Sequence, residues 1–152
     1  MAKPTREDAH LLLEIASWSS ASGVMEAVNW VRSEDFVPDF ASFDSKYPEG
    51  SEGRLRLNKV LGHNETVATL WKNKLISEEL LFDWLWVTGM WDLVKDVAVG
   101  MREKSGVSAL WENFEAMAER QRALMSLPVK STVKKTTPRA RKTRSTTPAR
   151  KR

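Results

Sequence analysis

The sequence predicts an all-α protein of about six helices, in a bundle or an irregular helical domain, followed by a disordered basic tail. Apolar residues recur at helical spacing through most of residues 6–125. No segment alternates apolar and polar residues with the β-branched content of a half-buried strand. Residues 127–152 contain too few apolar side chains to form a core. We therefore predict an acidic all-α domain at 1–126 and a disordered polycationic tail at 127–152.

The first two helices are predicted at 6–19 and 23–33. Thr5 is the expected N-cap of the first helix and Ser22 that of the second, because both side chains can accept a bond from an uncapped main-chain nitrogen. The residues expected to face inward are Leu11, Ile15 and Trp18 in the first helix and Val24, Met25, Val28 and Val31 in the second.

A loop is predicted at 34–51, where prolines and glycine interrupt regular structure. Four aromatic residues in this loop are spaced to pack back onto the helices: Phe36, Phe40, Phe43 and Tyr47. Six acids give the loop and its end a negative patch: Glu34, Asp35, Asp39, Asp44, Glu49 and Glu52.

The third helix, at 51–71, has the most regular apolar stripe in the chain. Asn64 lies within that stripe and needs a hydrogen-bond partner if it is buried. Its neighbours His63 and Glu65 point in other directions on a helix, so the three side chains cannot converge on one site. We expect Glu65 to pair with Lys72 or with a neighbouring helix.

The remaining helices are predicted at about 77–87, 91–104 and 108–125. A break between the first two is expected at Thr88 and Gly89. The fifth helix has cations in its last turn and Gly106 after it, which is typical of a helix end. Ser108 is the expected cap of the sixth helix.

Seven tryptophans are many for this length. Trp71, Trp91 and Trp111 lie on apolar stripes, which predicts that they belong to the core. Trp84 and Trp86 are two positions apart and cannot share one helix face, so at least one should be partly exposed. The 80–91 segment is therefore either a central buried helix or a surface for a protein partner or a second copy, with Trp84 and Trp86 as candidate partner-binding residues.

The chain offers few groups for catalysis. It has no cysteine, which excludes disulfides, thiolate zinc sites and cysteine nucleophiles, and only two histidines, His10 and His63. Glu7 and His10 have the E-x-x-H spacing of di-iron helical bundles, but Val60 stands where a second motif would need a glutamate. We therefore expect no enzyme, no metal site and no cofactor.

Charge divides the chain at the predicted boundary. Residues 1–126 hold 14 Lys and Arg against 20 Asp and Glu, a formal charge of −6, whereas residues 127–152 hold ten Lys and Arg and no acid. A cationic segment of this kind can bind the phosphate backbone of DNA or RNA without reading its sequence. The candidate nucleic-acid-binding residues are Lys130, Lys134, Lys135, Arg139, Arg141, Lys142, Arg144, Arg150, Lys151 and Arg152.

Other roles for the tail stay open. It could bind another polyanion, serve only as a solubilising extension, or lie on the acidic 34–52 patch of its own domain. Two near-copies, KKTTPRARK at 134–142 and RSTTPARKR at 144–152, suggest a modular arm. Phosphorylation of Thr137 or Thr147 would weaken phosphate binding by subtracting charge.

Residues 64–119 carry a resemblance to a known family. They read NETVATLWKNKLISEELLFDWLWVTGMWDLVKDVAVGMREKSGVSALWENFEAMAE. This order of segments resembles a family of small bacterial helical proteins classed as a domain of unknown function. The resemblance implies an all-α fold and a bacterial or phage origin, and it implies no activity. The tail is similar in composition to the tails of actinobacterial nucleoid proteins and linker histones.

The sequence also bears on location. The N-terminal residues lack the apolar run of a signal peptide. The most apolar segment, 75–91, is too short and contains too many acids to cross a bilayer. We expect a cytoplasmic protein, with nucleoid association as an option.

Overall fold

The computed structural model describes residues 3–127 and contains, in that part of the chain, seven α-helices and no β-strand. The helices are α1 (Arg6–Ala21), α2 (Val24–Val31), α3 (Phe40–Lys46), α4 (Glu52–Lys72), α5 (Glu78–Trp84), α6 (Val87–Ser105) and α7 (Glu112–Met125). The predicted all-α fold is confirmed. The predicted nucleic-acid-binding residues, 130–152, lie outside the described residues.

Helix α4 forms the centre of the core. It packs between α2 and α7, while α6 packs on α7 and α3. Its apolar stripe is fully buried, as the spacing predicts, through Leu57, Val60, Leu61, Val67 and Ala68. None of the helices between residues 3 and 127 combines the length and hydropathy that a bilayer crossing requires.

The described part of the chain has one helix more than the approximate count of six, because the segment predicted as a loop at 34–51 contains α3. Asp39 caps this helix by accepting a bond of 2.8 Å from the main-chain nitrogen of Ser42. A helix of 7 residues is too short to reveal its period in a sequence. The aromatic residues of the segment do pack inward: Phe43 is fully buried, and Phe36 and Tyr47 contact the Trp30 ring at centroid distances of 5.7 and 5.4 Å.

Buried Arg54 uses part of the negative charge of the 34–52 patch. Its side chain, only 2% exposed, donates from Nε to the Tyr47 carbonyl at 2.8 Å and pairs with Asp44 and Glu49. Lys104 of α6 also pairs with Asp44, at 2.7 Å. These contacts lower the pKa of Asp44, first through the Lys104 hydrogen bond and then through that of Arg54. The patch is thus engaged within the domain, which leaves less charge for an outside cation.

The start of α7 is capped from α4, and the predicted Ser108 cap is wrong. Trp111 is the N-cap residue, with a left-handed backbone and no capping bond from its own side chain. The Glu65 carboxylate instead accepts bonds from Phe114 N at 2.9 Å and Asn113 Nδ2 at 2.7 Å. The expected pairing of Glu65 with a neighbouring helix is confirmed. Buried Asn64 is also satisfied, by donating to the Val60 carbonyl at 2.9 Å.

The first two helices differ from expectation in their caps and faces. Thr5 caps α1 as predicted, in a reciprocal arrangement with Asp8, but Ser22 does not cap α2. Gly23 takes that position with φ 71, a conformation that favours glycine. Trp18 and Met25, both expected to face inward, are exposed. The buried face of α2 is offset from the predicted one: it comprises Val24, Ala27, Trp30 and Val31.

Candidate functional site

The two candidate partner-binding tryptophans flank the junction between α5 and α6. Helix α5 ends at Trp84, Leu85 is extended, and Trp86 is the N-cap residue of α6. The break predicted at Thr88 and Gly89 is therefore wrong, since both residues lie in the first turn of α6. Trp84 is 40% exposed and Trp86 is 64% exposed. The spacing of the two tryptophans predicts that at least one of them is exposed, and in the structure both indoles lie at the surface.

Gly89 provides the space that the Trp86 indole occupies. A Cβ atom at position 89 would lie 2.8 Å from the Cδ2 and Cε2 atoms of Trp86, closer than real Cβ contacts come. Only glycine, which has no Cβ, allows the ring to rest there. The indole is thus supported by the α6 backbone although most of it faces solvent.

Gln121 of α7 fixes the main chain on both sides of Trp86. Its Oε1 accepts a bond of 2.8 Å from Thr88 N, and its Nε2 donates to the Leu85 carbonyl at 2.8 Å. Thr88 Oγ1 in turn donates to the Ala118 carbonyl at 3.1 Å. Gln121 and Thr88 are buried, so these bonds lie in a low-dielectric setting where they define geometry strongly. The junction is therefore held rigidly against α7.

A groove of about 460 Å³ opens between this junction and the last turns of α7. A recess of about 510 Å³ adjoins it and shares three of its residues, Phe82, Asp83 and Leu124. We call the two together the aromatic groove. Its lining is Glu78, Glu79, Phe82, Asp83, Trp86, Gln121, Leu124 and Met125.

Two of the three carboxylates of the aromatic groove have no ion pair within residues 3–127. Glu78 is engaged: it pairs with Arg120 at 2.8 Å and accepts a bond from Trp71 Nε1 at 3.0 Å. The Arg120 hydrogen bond is the main cause that lowers the Glu78 pKa. Glu79 and Asp83 make no such pair in the described part of the chain. The groove thus combines an aromatic wall with two uncompensated negative charges.

A larger cavity of about 630 Å³ lies between the starts of α1 and α5 and the end of α4. One of its acids, Asp8, accepts bonds from Thr5 N at 2.8 Å and from Ser77 N at 2.6 Å. The hydrogen bonds from Thr5 are the main reason that the Asp8 pKa is lowered. Asp8 thus holds the start of α1 against the start of α5.

Ser19 and His63 form a buried pair between α1 and α4. Ser19 Oγ lies 2.6 Å from His63 Nε2 and 2.7 Å from the Ile15 carbonyl, while the Trp18 ring stacks on the imidazole at 4.8 Å. Burial lowers the His63 pKa. The geometry resembles a nucleophile and its base, but both side chains are buried beneath Trp18, and the contact ties two helices together.

The histidine of the N-terminal E-x-x-H sequence, His10, lies near only one further carboxylate of the described chain. His10 and Glu14 lie 3.3 Å apart on the exposed face of α1. Across residues 3–127, no three His, Asp or Glu side chains are grouped closely enough to hold a metal ion.

These features define a small helical domain whose most distinctive surface is an aromatic groove with acidic edges. The chain belongs to a family described as a domain of unknown function, DUF4760, whose model matches residues 4–121. The predicted resemblance at 64–119 is confirmed and extends over nearly all of α1 to α7. No curated protein and no solved structure matches the chain significantly.

Proposed function

We propose that this protein binds the backbone of nucleic acid through its basic tail, residues 127–152, and that its helical domain is non-enzymatic. The observation that carries the proposal is the separation of charge: all 20 acids precede residue 127, and ten of the 24 Lys and Arg follow it. The tail therefore carries a net positive charge that can bind phosphates, whereas the helical domain carries a net negative charge.

Ion pairing within the domain supports this division of roles. Seven of its Lys and Arg side chains pair with domain acids: Arg54, Arg56, Lys72, Arg102, Lys104, Arg120 and Arg122. Engaged cations of this kind have little charge left for phosphate. A domain with a formal charge of −6 would on balance repel nucleic acid, which favours the tail as the binding element.

Binding by the tail would be dominated by counterion release. If about six cations contact duplex DNA, the slope of log affinity against log salt concentration would be about −5. Backbone contacts carry no sequence information, so DNA duplexes of different sequence should bind alike.

The test is fluorescence anisotropy with labelled duplex DNA at about 50 and 200 mM salt. One variant of the full chain carries Arg139→Gln, Arg141→Gln and Lys142→Gln. A matched control removes three exposed domain cations that make no ion pair among residues 3–127, through Arg32→Gln, Lys59→Gln and Lys95→Gln.

We expect the tail variant to bind more weakly, with a salt slope smaller by about 2 to 3 if all three cations contact phosphate. The control should keep the slope of the native protein. Equal affinity of the native chain and the tail variant would contradict the proposal. The same titration with single-stranded RNA shows which nucleic acid is preferred.

A second candidate function is a protein-interaction module at the aromatic groove. The exposure of Trp86 in the lining of a preformed groove favours it, since exposed tryptophans are common anchors at interfaces. Trp84 is also exposed but is not part of that lining. An aromatic wall with the carboxylates of Glu79 and Asp83 fits a segment that carries arginine or lysine beside proline. Sedimentation of the native chain and of Trp86→Ala tests the case in which a second copy supplies that segment.

A further inference from the structure

We infer that the aromatic groove binds the chain's own tail, through Pro138–Arg139–Ala140–Arg141–Lys142, and thereby competes with nucleic acid for the same cations. The competition rests on the proposed function, whereas the docking is independent of it. Three features carry the inference: the position where the described chain ends, the chemistry of the groove, and its rigidity.

The described chain ends beside the groove. Leu124 and Met125 line it, and Leu127 is the last described residue. Ten residues, 128–137, separate Leu127 from Pro138. A segment of that length spans at most about 33 to 36 Å, which is ample for a return to the groove next to its own origin. The second copy of the repeat begins ten residues later, so the first copy has the higher effective concentration.

The chemistry of the groove matches that segment. Arg139, Arg141 and Lys142 are cations without any acid in their own part of the chain, and Glu79 and Asp83 are carboxylates without an ion pair in residues 3–127. A guanidinium group also stacks favourably on an indole face. Trp86 offers such a face at the edge of the groove. In the 34–52 patch, Asp44 and Glu49 already pair with Arg54 and Glu52 pairs with Arg56, so half of its six acids are engaged within the domain.

The groove is formed before anything binds. Gly89 supports the Trp86 indole, and Gln121 holds the main chain at Leu85 and Thr88. A rigid surface loses little conformational entropy on binding, which makes a modest set of contacts sufficient. Exposed ion pairs are weak and are screened by salt, so the docked state should be partly populated at low salt and depleted at high salt.

Docking is tested by paramagnetic broadening in the full chain. Because the chain has no cysteine, Thr143→Cys creates a single attachment point for a nitroxide beside the proposed segment. We expect the indole N–H signals of Trp84 and Trp86 to broaden at low salt and to recover at high salt. The signal of Trp30 should be less affected, because it lies on α2, which contributes no residue to the groove.

A double variant, Glu79→Gln with Asp83→Asn, should abolish the broadening. The control, Glu26→Gln with Asp96→Asn, removes two exposed acids that make no ion pair in the described chain. This control should leave the broadening unchanged. Trp86→Ala should also weaken the docking, read from the Trp84 signal.

Several results would overturn the inference. They are the absence of broadening at low salt, broadening centred on residues 34–52, and broadening that appears when the nitroxide and the isotope label are on different molecules. The last result would assign the groove to the tail of a second copy.

The consequence for nucleic acid is measured separately by the anisotropy assay. If half to four-fifths of the tails are docked, the groove double variant should bind DNA about two- to fivefold more tightly at low salt. If the double variant loses the broadening but binds DNA with unchanged affinity, the proposed competition between groove and DNA is wrong. If DNA binds neither protein but the broadening persists, the proposed function fails and the docking stands.

Discussion

The Glu65 carboxylate on α4 caps the main-chain nitrogen of Phe114 on α7, at 2.9 Å. This bond crosses 49 positions of the sequence and supplies what the N-cap residue of α7 does not, because Trp111 makes no side-chain capping bond. The central helix of the core thus determines where the last described helix begins.

Replacing Glu65 should therefore destabilise the domain as the loss of a helix cap does. We expect Glu65→Ala to lower the free energy of unfolding by about 1 to 2 kcal/mol. Urea denaturation followed by circular dichroism measures the change. Glu119→Ala, at an exposed position of α7, is the control and should change the stability by less than about 0.5 kcal/mol. Equal effects of the two variants would contradict the capping role.

Gly89 and Gly62 should respond differently to alanine. Both lie within helices, but a Cβ at Gly62 meets nothing within 4 Å, whereas at Gly89 it meets Trp86. Gly62→Ala should stabilise the domain by about 0.5 to 1 kcal/mol through helix propensity. Gly89→Ala should gain less stability, because the added Cβ forces the Trp86 indole to move. A shifted Trp86 indole signal in Gly89→Ala, with a native-like signal in Gly62→Ala, is the expected outcome.

Arg54 and Arg56 lie on the same helix but should differ strongly in their contribution to the stability of the domain. Arg54 is buried with Tyr47, Asp44 and Glu49 as partners, whereas Arg56 is 43% exposed and pairs with Glu52, which lies at the surface. Arg54→Ala should cost about 2 to 4 kcal/mol, because it removes a fully buried side chain together with the bonds that it donates to the Tyr47 carbonyl and to Asp44. Arg56→Ala should cost less than about 1 kcal/mol. Thermal unfolding of the two variants tests the contrast, and similar losses would count against it.

His63 should make the domain less stable in acid. Burial lowers its pKa in the folded state below the ordinary value of 6.5. The unfolded chain therefore binds the proton first, so the contribution of neutral His63 is complete above pH 6.5 and declines as the pH falls below it. Denaturation midpoints measured between about pH 7.5 and 5 should show this decline.

A variant should separate the His63 contribution from those of other groups. His63→Gln should flatten the pH dependence in that range, whereas His10→Gln, at an exposed site, should keep it. A His63→Gln protein with the native pH dependence would show that other groups cause the acid sensitivity.

The sequence predicted the features that depend on local spacing and missed those that depend on packing. The stripe of Leu57, Val60 and Leu61 predicts α4 because a helix buries every third or fourth residue. The cap of α7 was misplaced at Ser108, since no local pattern reveals an acceptor on another helix. Helix α3 was missed because Pro38 precedes it and it is only 7 residues long.

The candidate site follows the same rule. The spacing of Trp84 and Trp86 predicts an exposed indole, but the support of Trp86 by Gly89 depends on where α6 begins. That start is set partly by Gln121, which is 33 positions beyond Thr88. Sequence periodicity carries no information about such a contact.

The family match ends at Gln121, the residue that fixes the junction between α5 and α6. Within the described chain, every buried residue lies at or before this position, whereas Leu124 and Met125 come after it. The lining of the aromatic groove thus lies on both sides of the end of the family match. Substitutions after Gln121 can change what the groove accepts while every buried residue of the described chain stays in place, so the selectivity of this surface can vary without a change in the core.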